Sequence, residues 1–374
     1  MTAVFQALDG VMLRRIKSAA TRSRRRLSGA LRRRYSASVN KEVHSKQNRK
    51  AESILSTIEN QQGAVLDPAI RRLCLEYAGD VLGWEGYSPW LCTYSALAGE
   101  FREGWIPDNY YGEVVLPIVN KDMRTISDLR VIESMLFGTR LFPDVLSYAN
   151  GLFVSPSHEI IPHEAVGGYL FQQADRIVFK LHSSFHGRGV WVYTKENFSV
   201  DAVVRAGNGV FQSYVTQHHF FDSFTANSVA TIRLTTVADS NGEISCRAAY
   251  LRAAMDADPV VLTTKAMRVS IDVPTGLLHT TGYLPNYYAI TEHPDSGFVF
   301  GGATVPGYFQ SVAAVCDLHK KLPFCKCIGW DVCIDTSEMI QIIEWNARHN
   351  NIRFSEATAG PSFADLGWED LWKP

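Results

Sequence analysis

Apolar positions divide the chain into regions of different period. Leu13, Ile16, Ala20, Leu27 and Leu31 recur at near-helical spacing with arginines on the other faces, which predicts a basic helix at the head of the chain. The helical period returns over 52–82, with Ile54, Leu55 and Ile58, then Ile70, Leu73, Leu75 and Leu82. A stretch dense in rings follows, with Trp84, Tyr87, Trp90, Tyr94, Phe101, Trp105, Tyr110 and Tyr111 set among Gly and Pro. Such rings stack on sugars or bases, or else fasten an irregular subdomain together, and the second is the expectation here.

From about residue 118 the pattern changes to short β-branched runs between turn residues. RIVFK (176–180), VWVYT (190–194), SVATIRLTTVA (228–238), ISCRAAYLRAA (244–254), Met267 to Ile271, IGWDVCI (328–334) and IQIIEW (340–345) read as strands. Thr336-Ser337-Glu338 reads as the hairpin connection of the last pair. Helices are expected over 122–136 and over 309–321, where Phe309, Val312, Val315, Cys316 and Leu318 supply the apolar positions. The expected fold class is α+β with a mostly antiparallel body.

Composition narrows the picture further. The 374 residues are 46% hydrophobic, enough for one large core or two to three packed subdomains. No apolar run approaches the roughly 20 residues of a membrane span. Asp9 and the arginines interrupt the head where a secretory signal would be apolar. Seven irregularly spaced cysteines argue against a disulfide framework, so a cytoplasmic location is expected.

The net charge of -1 hides an asymmetry. Residues 1–50 hold 14 of the 37 Lys and Arg residues but only Asp9 and Glu42 of the 38 acids, so the head is basic and the body acidic. Two readings follow: peripheral attachment to the inner face of a membrane or to another anionic surface, or a helix that packs on the acidic body. A transit peptide, also rich in Arg and Ser, fits this segment in part.

Chemistry concentrates in two segments. In IVFKLHSSFHGRGVWVYT a strand ending at Lys180 enters a loop with Ser183, Ser184, Gly187 and Gly189 and leaves as a second strand. Small residues let backbone N–H groups approach phosphate oxygens while the lysine supplies positive charge. A strand follows the loop rather than a helix, which excludes the Walker loop and the dinucleotide fingerprint. In IGWDVCIDTSEMIQIIEWN, Asp331 lies on one strand and Glu344 and Asn346 on the next, two apart and therefore on one face. Two carboxylates and an amide oxygen are hard ligands of the kind magnesium takes alongside phosphates.

Lys121, Lys180 with its loop, Gly329-Trp330-Asp331 and Glu344-Trp345-Asn346 occur in the order of the ATP-grasp superfamily, which the chain resembles from about Tyr87 onward. VNKD (119–122), NSVATIRLTTV, HPDSGFVFGGATVP, GWDVCID and IIEWN resemble, more narrowly, the sugar-transfer-associated ATP-grasp family found with bacterial surface-polysaccharide genes. The resemblance implies an ATP-grasp fold, two α+β lobes sandwiching ATP, preceded by a helical, basic extension. Its domains are then 1–50, the extension; 51–117, a helical, aromatic-rich subdomain; and 118–374, the catalytic region, with 118–210 the small lobe and 211–374 the large lobe.

The resemblance also implies roles. Lys121 and Lys180 contact the ATP phosphates, and the loop from Ser183 to Gly189 closes over them. Asp331, Glu344 and Asn346 hold Mg2+. Arg233 and Arg252 stabilise an acyl phosphate or grip the acceptor carboxylate, or are surface ion pairs on a sheet. Ser213 stands in FQSYV where the family carries a Glu on the strand between lobes, leaving backbone groups of Gln212, Tyr214 and Val215 for adenine. Lys265 and Arg268 replace the family's Asn- and Gly-containing stretch, so the acceptor differs from that of relatives.

The implied activity is an ADP-forming carboxylate–amine ligase joining an amine or amino acid to a carboxylate, a uronic acid in a surface glycan for instance. Alternatives are a peptide or small-metabolite ligase, a sugar kinase, and a non-catalytic nucleotide- or glycan-binding module. No nucleic-acid partner is expected. The histidines at 182, 186, 218 and 219 and the Cys325, Cys327 and Cys333 group lack ligand or triad spacing.

Overall fold

Asn40 opens the first long helix by accepting the Glu42 N–H on its side chain, and Gly63 closes it in the left-handed conformation at φ 66°. This helix, α1 (Lys41–Gln62), buries Ala51, Ile54, Leu55 and Ile58, the periodic positions of the sequence. Asp67 caps α2 (Pro68–Asp80), which buries Cys74, Tyr77 and Ala78. Leu73 and Leu75, expected in the core, are exposed. A third helix, α3 (Ser88–Ala98), packs against both. The computed structural model describes residues 34–36, 38–182, 189–224, 229–255 and 266–374. The basic stretch 1–33, Ser183, Ser184, His186, Gly187 and Lys265 lie outside the described residues.

Residues up to Val114, together with Phe363–Pro374, form one of two compact units. Its interior is aromatic: Trp90, Tyr94, Trp105, Tyr110 and Tyr111 are fully buried. Edge-on contacts join Trp84 to Tyr87, Tyr87 to Tyr110 and Tyr94 to Trp105. The C-terminal segment completes this core, the Trp372 indole N–H donating to the Val81 carbonyl at 2.7 Å. Gly83, at φ 86°, is required there because a Cβ would lie 2.7 Å from the Trp372 ring. The rings are packing material, with their faces committed to one another.

The second unit, Val115–Ser362, holds two antiparallel sheets. The smaller contains β1 (Asp144–Ala149), β2 (Leu152–Val154), β3 (Ile160–Ile161), β4 (Arg176–Leu181), β5 (Val190–Thr194) and β6 (Gly209–Ser213) in the order β3-β2-β1-β6-β4-β5. The larger contains β7 (Thr231–Ala238), β8 (Ile244–Ala253), β9 (Met267–Ile271), β10 (Leu278–Tyr283), β11 (Ala289–Ile290), β12 (Cys327–Ile334) and β13 (Ile340–Asn346) in the order β11-β10-β9-β8-β7-β12-β13. The α+β class is therefore observed, and the seven strands expected from sequence are present to within three residues at either end. In this unit a short α4 (Glu133–Phe137) precedes β1, α5 (Val200–Ala206) precedes β6, α6 (Tyr308–His319) precedes β12 and α7 (Arg353–Thr358) follows β13.

Alternation on the central strands separates two faces of the larger sheet. Ile232, Leu234, Leu251, Val269, Trp330, Val332 and Ile342 point to one side and pack with Tyr308, Val315 and Leu318 of α6. Arg233, Tyr250 and Asp331 occupy the alternate positions, on the opposite face.

The helix expected over 122–136 is instead a 3-10 segment, Lys121–Asp128, a break at Leu129, a second 3-10 turn Arg130–Ile132 and the short α4. Side-chain bonds to backbone outcompete the α ladder. Thr125 and Ser127 hydroxyls donate to the carbonyls of Asp122 and Arg124, and Ser127 also accepts the Ala347 N–H. Just before it, buried Asn120 donates to the Cys327 and Ala347 carbonyls and accepts the Cys327 N–H. The segment is thereby fastened along β13 rather than free to coil.

A buried polar chain ties α6 to the sheet. The Trp330 indole N–H donates to the Thr236 hydroxyl at 2.8 Å, Thr236 meets His319 Nδ1 at 2.7 Å, and His319 Nε2 meets the Cys325 carbonyl at 2.6 Å. The carbonyl needs Nε2–H as donor, which leaves Nδ1 to accept, so the ring fits this chain in its neutral form. Burial lowers its pKa from 6.5 to about 4. Stability from this site is thus complete above the unfolded value and lost as pH falls toward the folded one. Urea unfolding should show a loss of up to about 3 kcal/mol from this group between pH 6.5 and 4. A His319→Leu variant should lack that part of the slope; an unchanged slope would overturn the assignment.

Candidate active site

The register of the larger sheet places ionic side chains in a row. Glu344 on β13 lies opposite Asp331 on β12, Asp331 opposite Arg233 on β7, and Arg233 opposite Tyr250 on β8. One residue pair further along, Thr231 lies opposite Arg252, and Arg252 opposite Arg268 on β9.

Asp331 and Arg233 form a bidentate pair, Nε to Oδ1 at 2.7 Å and Nη2 to Oδ2 at 2.8 Å. Arg252 Nη2 approaches the same carboxylate at 3.4 Å. Burial alone would raise the Asp331 pKa, but the two guanidiniums hold it down at about 2. Arg233 Nη1 donates to the Asn350 carbonyl at 2.8 Å, crossing over Gly329. A Cβ on Gly329 would lie 2.6 Å from Asn350 Cβ, so only glycine lets this loop close over β12.

Beside this pair the smaller sheet delivers Lys180 from β4, whose Nζ donates to the Ile343 carbonyl of β13 at 3.3 Å. Arg130 Nη2 meets Glu344 Oε1 at 3.0 Å. Glu133, three residues on, is 1% exposed, and its Oε1 is buried with no hydrogen-bond partner. Burial raises its pKa well above the usual carboxylate value, against the pull of Arg130, with Asp144 and Glu344 adding to the rise. Burial likewise lowers Lys180, as does Arg130, while Glu344, Glu133 and Asp144 oppose the shift. Three acids and two bases thus meet around the end of β4.

A cleft of about 940 Å³ adjoins this cluster through Asp144. Ser213, Tyr214, Val215 and Thr216, at and beyond the end of β6, line one part of it, and Asp335–Ser337 of the β12–β13 turn another. Arg176 stacks on the Tyr214 ring with its guanidinium carbon 3.8 Å from the centroid.

The expected site residues are therefore brought together selectively. Lys180, Arg233, Arg252, Asp331 and Glu344 share one cluster. Asn346 shares a face with Glu344, and its buried amide nitrogen has no partner. Gly189 closes the β4–β5 hairpin, its carbonyl accepting the Leu181 N–H at 2.9 Å. Tyr214 and Val215 line the cleft, whereas Gln212 is locked inside the sheet, paired with Asp144 and Val178 and donating its amide to Asp144. Lys121 is exposed at φ 46°, and the nearest charges felt by Lys180 are Arg130, Glu344, Glu133 and Asp144 instead.

The donor set fits a hard cation only in part. Glu344 is partly exposed and has one oxygen outside its Arg130 contact. Both Asp331 oxygens are engaged by Arg233, so Asp331 is placed as an anchor for the arginines rather than as an open ligand. Among the described residues no three His, Cys, Asp or Glu side chains gather for a metal. Arg130, Glu133 and Asp144 escaped the sequence reading. The i, i+3 spacing of Arg130 and Glu133 was visible, but only the 3-10 course of the chain aims both inward.

The two sheets thus bring a lysine from one and an acid–amide pair from the other together beside the cleft. Residues 201–366 match the model of the sugar-transfer associated ATP-grasp family. No curated protein matches the chain. Among solved structures, a biotin carboxylase–β,γ-ATP complex from Campylobacter jejuni is 11% identical at a TM-score of 0.40, covering 66% of this chain and 46% of that one. The biotin carboxylase domain of 2-oxoglutarate carboxylase from Hydrogenobacter thermophilus, with MgADP, is 11% identical at 0.41, covering 66% and 45%. The ATP-grasp ligase PsnB with its minimal precursor is 10% identical at 0.39, covering 67% and 62%. The chain thus spans about half the length of the first two.

Removing one partner of a buried ion pair strands the other. Arg233→Met should destabilise the protein by about 3–5 kcal/mol in urea unfolding at pH 7, and Arg233→Met with Asp331→Leu by distinctly less. Equal losses in the single and double variants would show that the pairing is not what holds Asp331 in the sheet.

Proposed function

We propose that this protein is an ATP-dependent, ADP-forming carboxylate–amine ligase working through an acyl phosphate. The observation that carries the reading is the meeting of Lys180 with the Glu344–Asp331–Arg233 row beside a cleft that Tyr214 and Val215 line.

Within this reading adenine lies along Tyr214 and Val215, with Ser213 at the position where a ribose-binding Glu is expected. Lys180 and Arg130 face the phosphates, and burial keeps their attraction unscreened. Ser183, Ser184, Gly187, Gly189 and the exposed Lys121 are the further phosphate contacts that this reading assigns. Glu344 and Asn346 would hold magnesium, which would supply neutralisation of the charge on the transferring phosphoryl group. Asp331 would contribute only by releasing a contact with Arg233.

The acceptor carboxylate binds Arg233 and Arg252, whose planar forks match it, with Arg233 exchanging its Asp331 contact for the substrate. A carboxylate oxygen takes the γ-phosphoryl group and ADP leaves. The amine then bonds to the carbonyl carbon, phosphate departs, and the amine proton passes to a base. The match to the sugar-transfer associated family model favours an acidic sugar of a surface polysaccharide as the carboxylate, with a peptide or small metabolite as the alternative.

The test is ADP release by the purified chain with ATP and magnesium across uronic acids, dicarboxylates and amino acids, with products read by mass spectrometry. ADP formation that requires both a carboxylate and an amine is expected, and Lys180→Ala should lower it about 10²–10³-fold. Glu344→Ala should weaken it and raise the magnesium requirement. AMP and pyrophosphate as products, or a stable phosphorylated sugar formed without an amine, would replace this reading with an adenylating ligase or a kinase. ATP binding with no turnover on any acceptor would leave a binding module.

A further inference from the structure

The cleft has a wall that the proposed reaction leaves unused. Asp335, Thr336, Ser337 and Gln341 line it from the β12–β13 turn and the start of β13, and Tyr214, Val215 and Thr216 line it from beyond β6. The two segments are tied together, since the Thr336 N–H donates to the Thr216 carbonyl at 3.1 Å. Asp335 organises the turn: its Oδ1 accepts the Ser337 N–H at 2.8 Å and the Met339 N–H at 3.0 Å. Its Oδ2 accepts a bond from Gln341 Nε2 at 3.0 Å.

That last bond decides which way the Gln341 amide faces. A carboxylate only accepts, so the NH2 group must point to Asp335 and the amide oxygen away from it. A primary amide has two N–H bonds, and Asp335 takes one of them. Gln341 therefore presents an acceptor and a second donor side by side, in an order that Asp335 does not let it reverse. This is the pattern that meets the N6 amine and N7 of adenine, and it sets oxygen against oxygen when the base is guanine. Hydroxyls in the cleft, such as those of Ser213 and Thr216, rotate to donate or accept and so do not make that distinction.

The place of Gln341 along β13 suits the base end of a nucleotide. It is three residues from Glu344, at most about 10 Å along a strand, and it lines the same cleft as Tyr214 and Val215. We propose that Gln341, held in one orientation by Asp335, selects adenine over guanine at this site. This rests on the ligase reading, which sets the base along Tyr214 and Val215 and the phosphates at Lys180. Gln341 touches the base, and Asp335 is a positioning residue that acts through it.

The test is calorimetric titration of the full chain, with magnesium, using the β,γ-imido analogues of ATP, GTP and 2′-deoxy-ATP. The ATP analogue should bind at least about tenfold tighter than the GTP analogue, and the deoxy analogue should match ATP. Gln341→Leu should abolish the preference for ATP. Asp335→Asn, whose amide can face Gln341 in either sense, should narrow that preference chiefly by tightening GTP binding. A merely structural role for Asp335 would instead weaken both analogues alike. Equal binding of the ATP and GTP analogues, a preference that survives Gln341→Leu, or weakening confined to the deoxy analogue would each overturn the proposal, the last by making Gln341 a reader of the sugar. Failure of all three to bind would overturn the ligase reading itself, and with it the base that Gln341 reads. The wild-type comparison stands even if neither variant folds.

Discussion

The Arg233–Asp331 pair is the constraint around which the second unit is arranged. Both groups lie on interior strands of a seven-stranded sheet, buried on both faces, where an unpaired charge would cost several kcal/mol. Their pairing fixes the register of β7 against β12, and a slip of one residue would turn Ile232 or Trp330 to the polar side. The same register then places Glu344 beyond Asp331 and Tyr250 beyond Arg233. The apolar face packed on α6 and the ionic face opposite it are thus two consequences of one alignment.

What the smaller sheet adds is charge of the opposite sign at close range. Lys180 reaches β13 only because β4 is held between β5 and β6, and its burial makes each neighbour count. Glu133 and Asp144, both with raised pKa values, are acids that burial pushes toward the neutral form. Their proton occupancy therefore depends on Arg130 and Lys180 remaining nearby.

Much of this was legible in the sequence where local and tertiary demands agree. Strands such as VWVYT and the Met267–Ile271 run declare themselves because alternation and β-branching serve both the sheet and the core. Lys180, Asp331 and Glu344 were readable as a set because strand period fixes which residues share a face. Less legible is a side chain's partner distant in sequence. Nothing local says that Asp331 is paired with Arg233, 98 residues earlier, or that the Gln212 side chain donates to Asp144. Leu73 and Leu75 misled because α2 buries Cys74, Tyr77, Ala78 and Gly79 instead.

The segment after Asn120 shows why one misread helix matters for chemistry. As a regular α-helix, 122–136 would carry Arg130 and Glu133 on one stripe, free of β13. Asn120 and Ser127 instead fasten the chain to Cys327 and Ala347, and the 3-10 winding delivers Arg130 to Glu344. Glu344 is thereby shared between an internal cation and any metal that enters. A divalent ion must displace, or sit beside, a guanidinium already 3.0 Å from the carboxylate. In the proposed reaction phosphate would relieve that competition, because it would offer Arg130 a second oxyanion while binding the same metal. Metal and nucleotide binding would then be linked through Arg130, and the linkage would follow from a backbone that an amide and a hydroxyl side chain keep out of the α ladder.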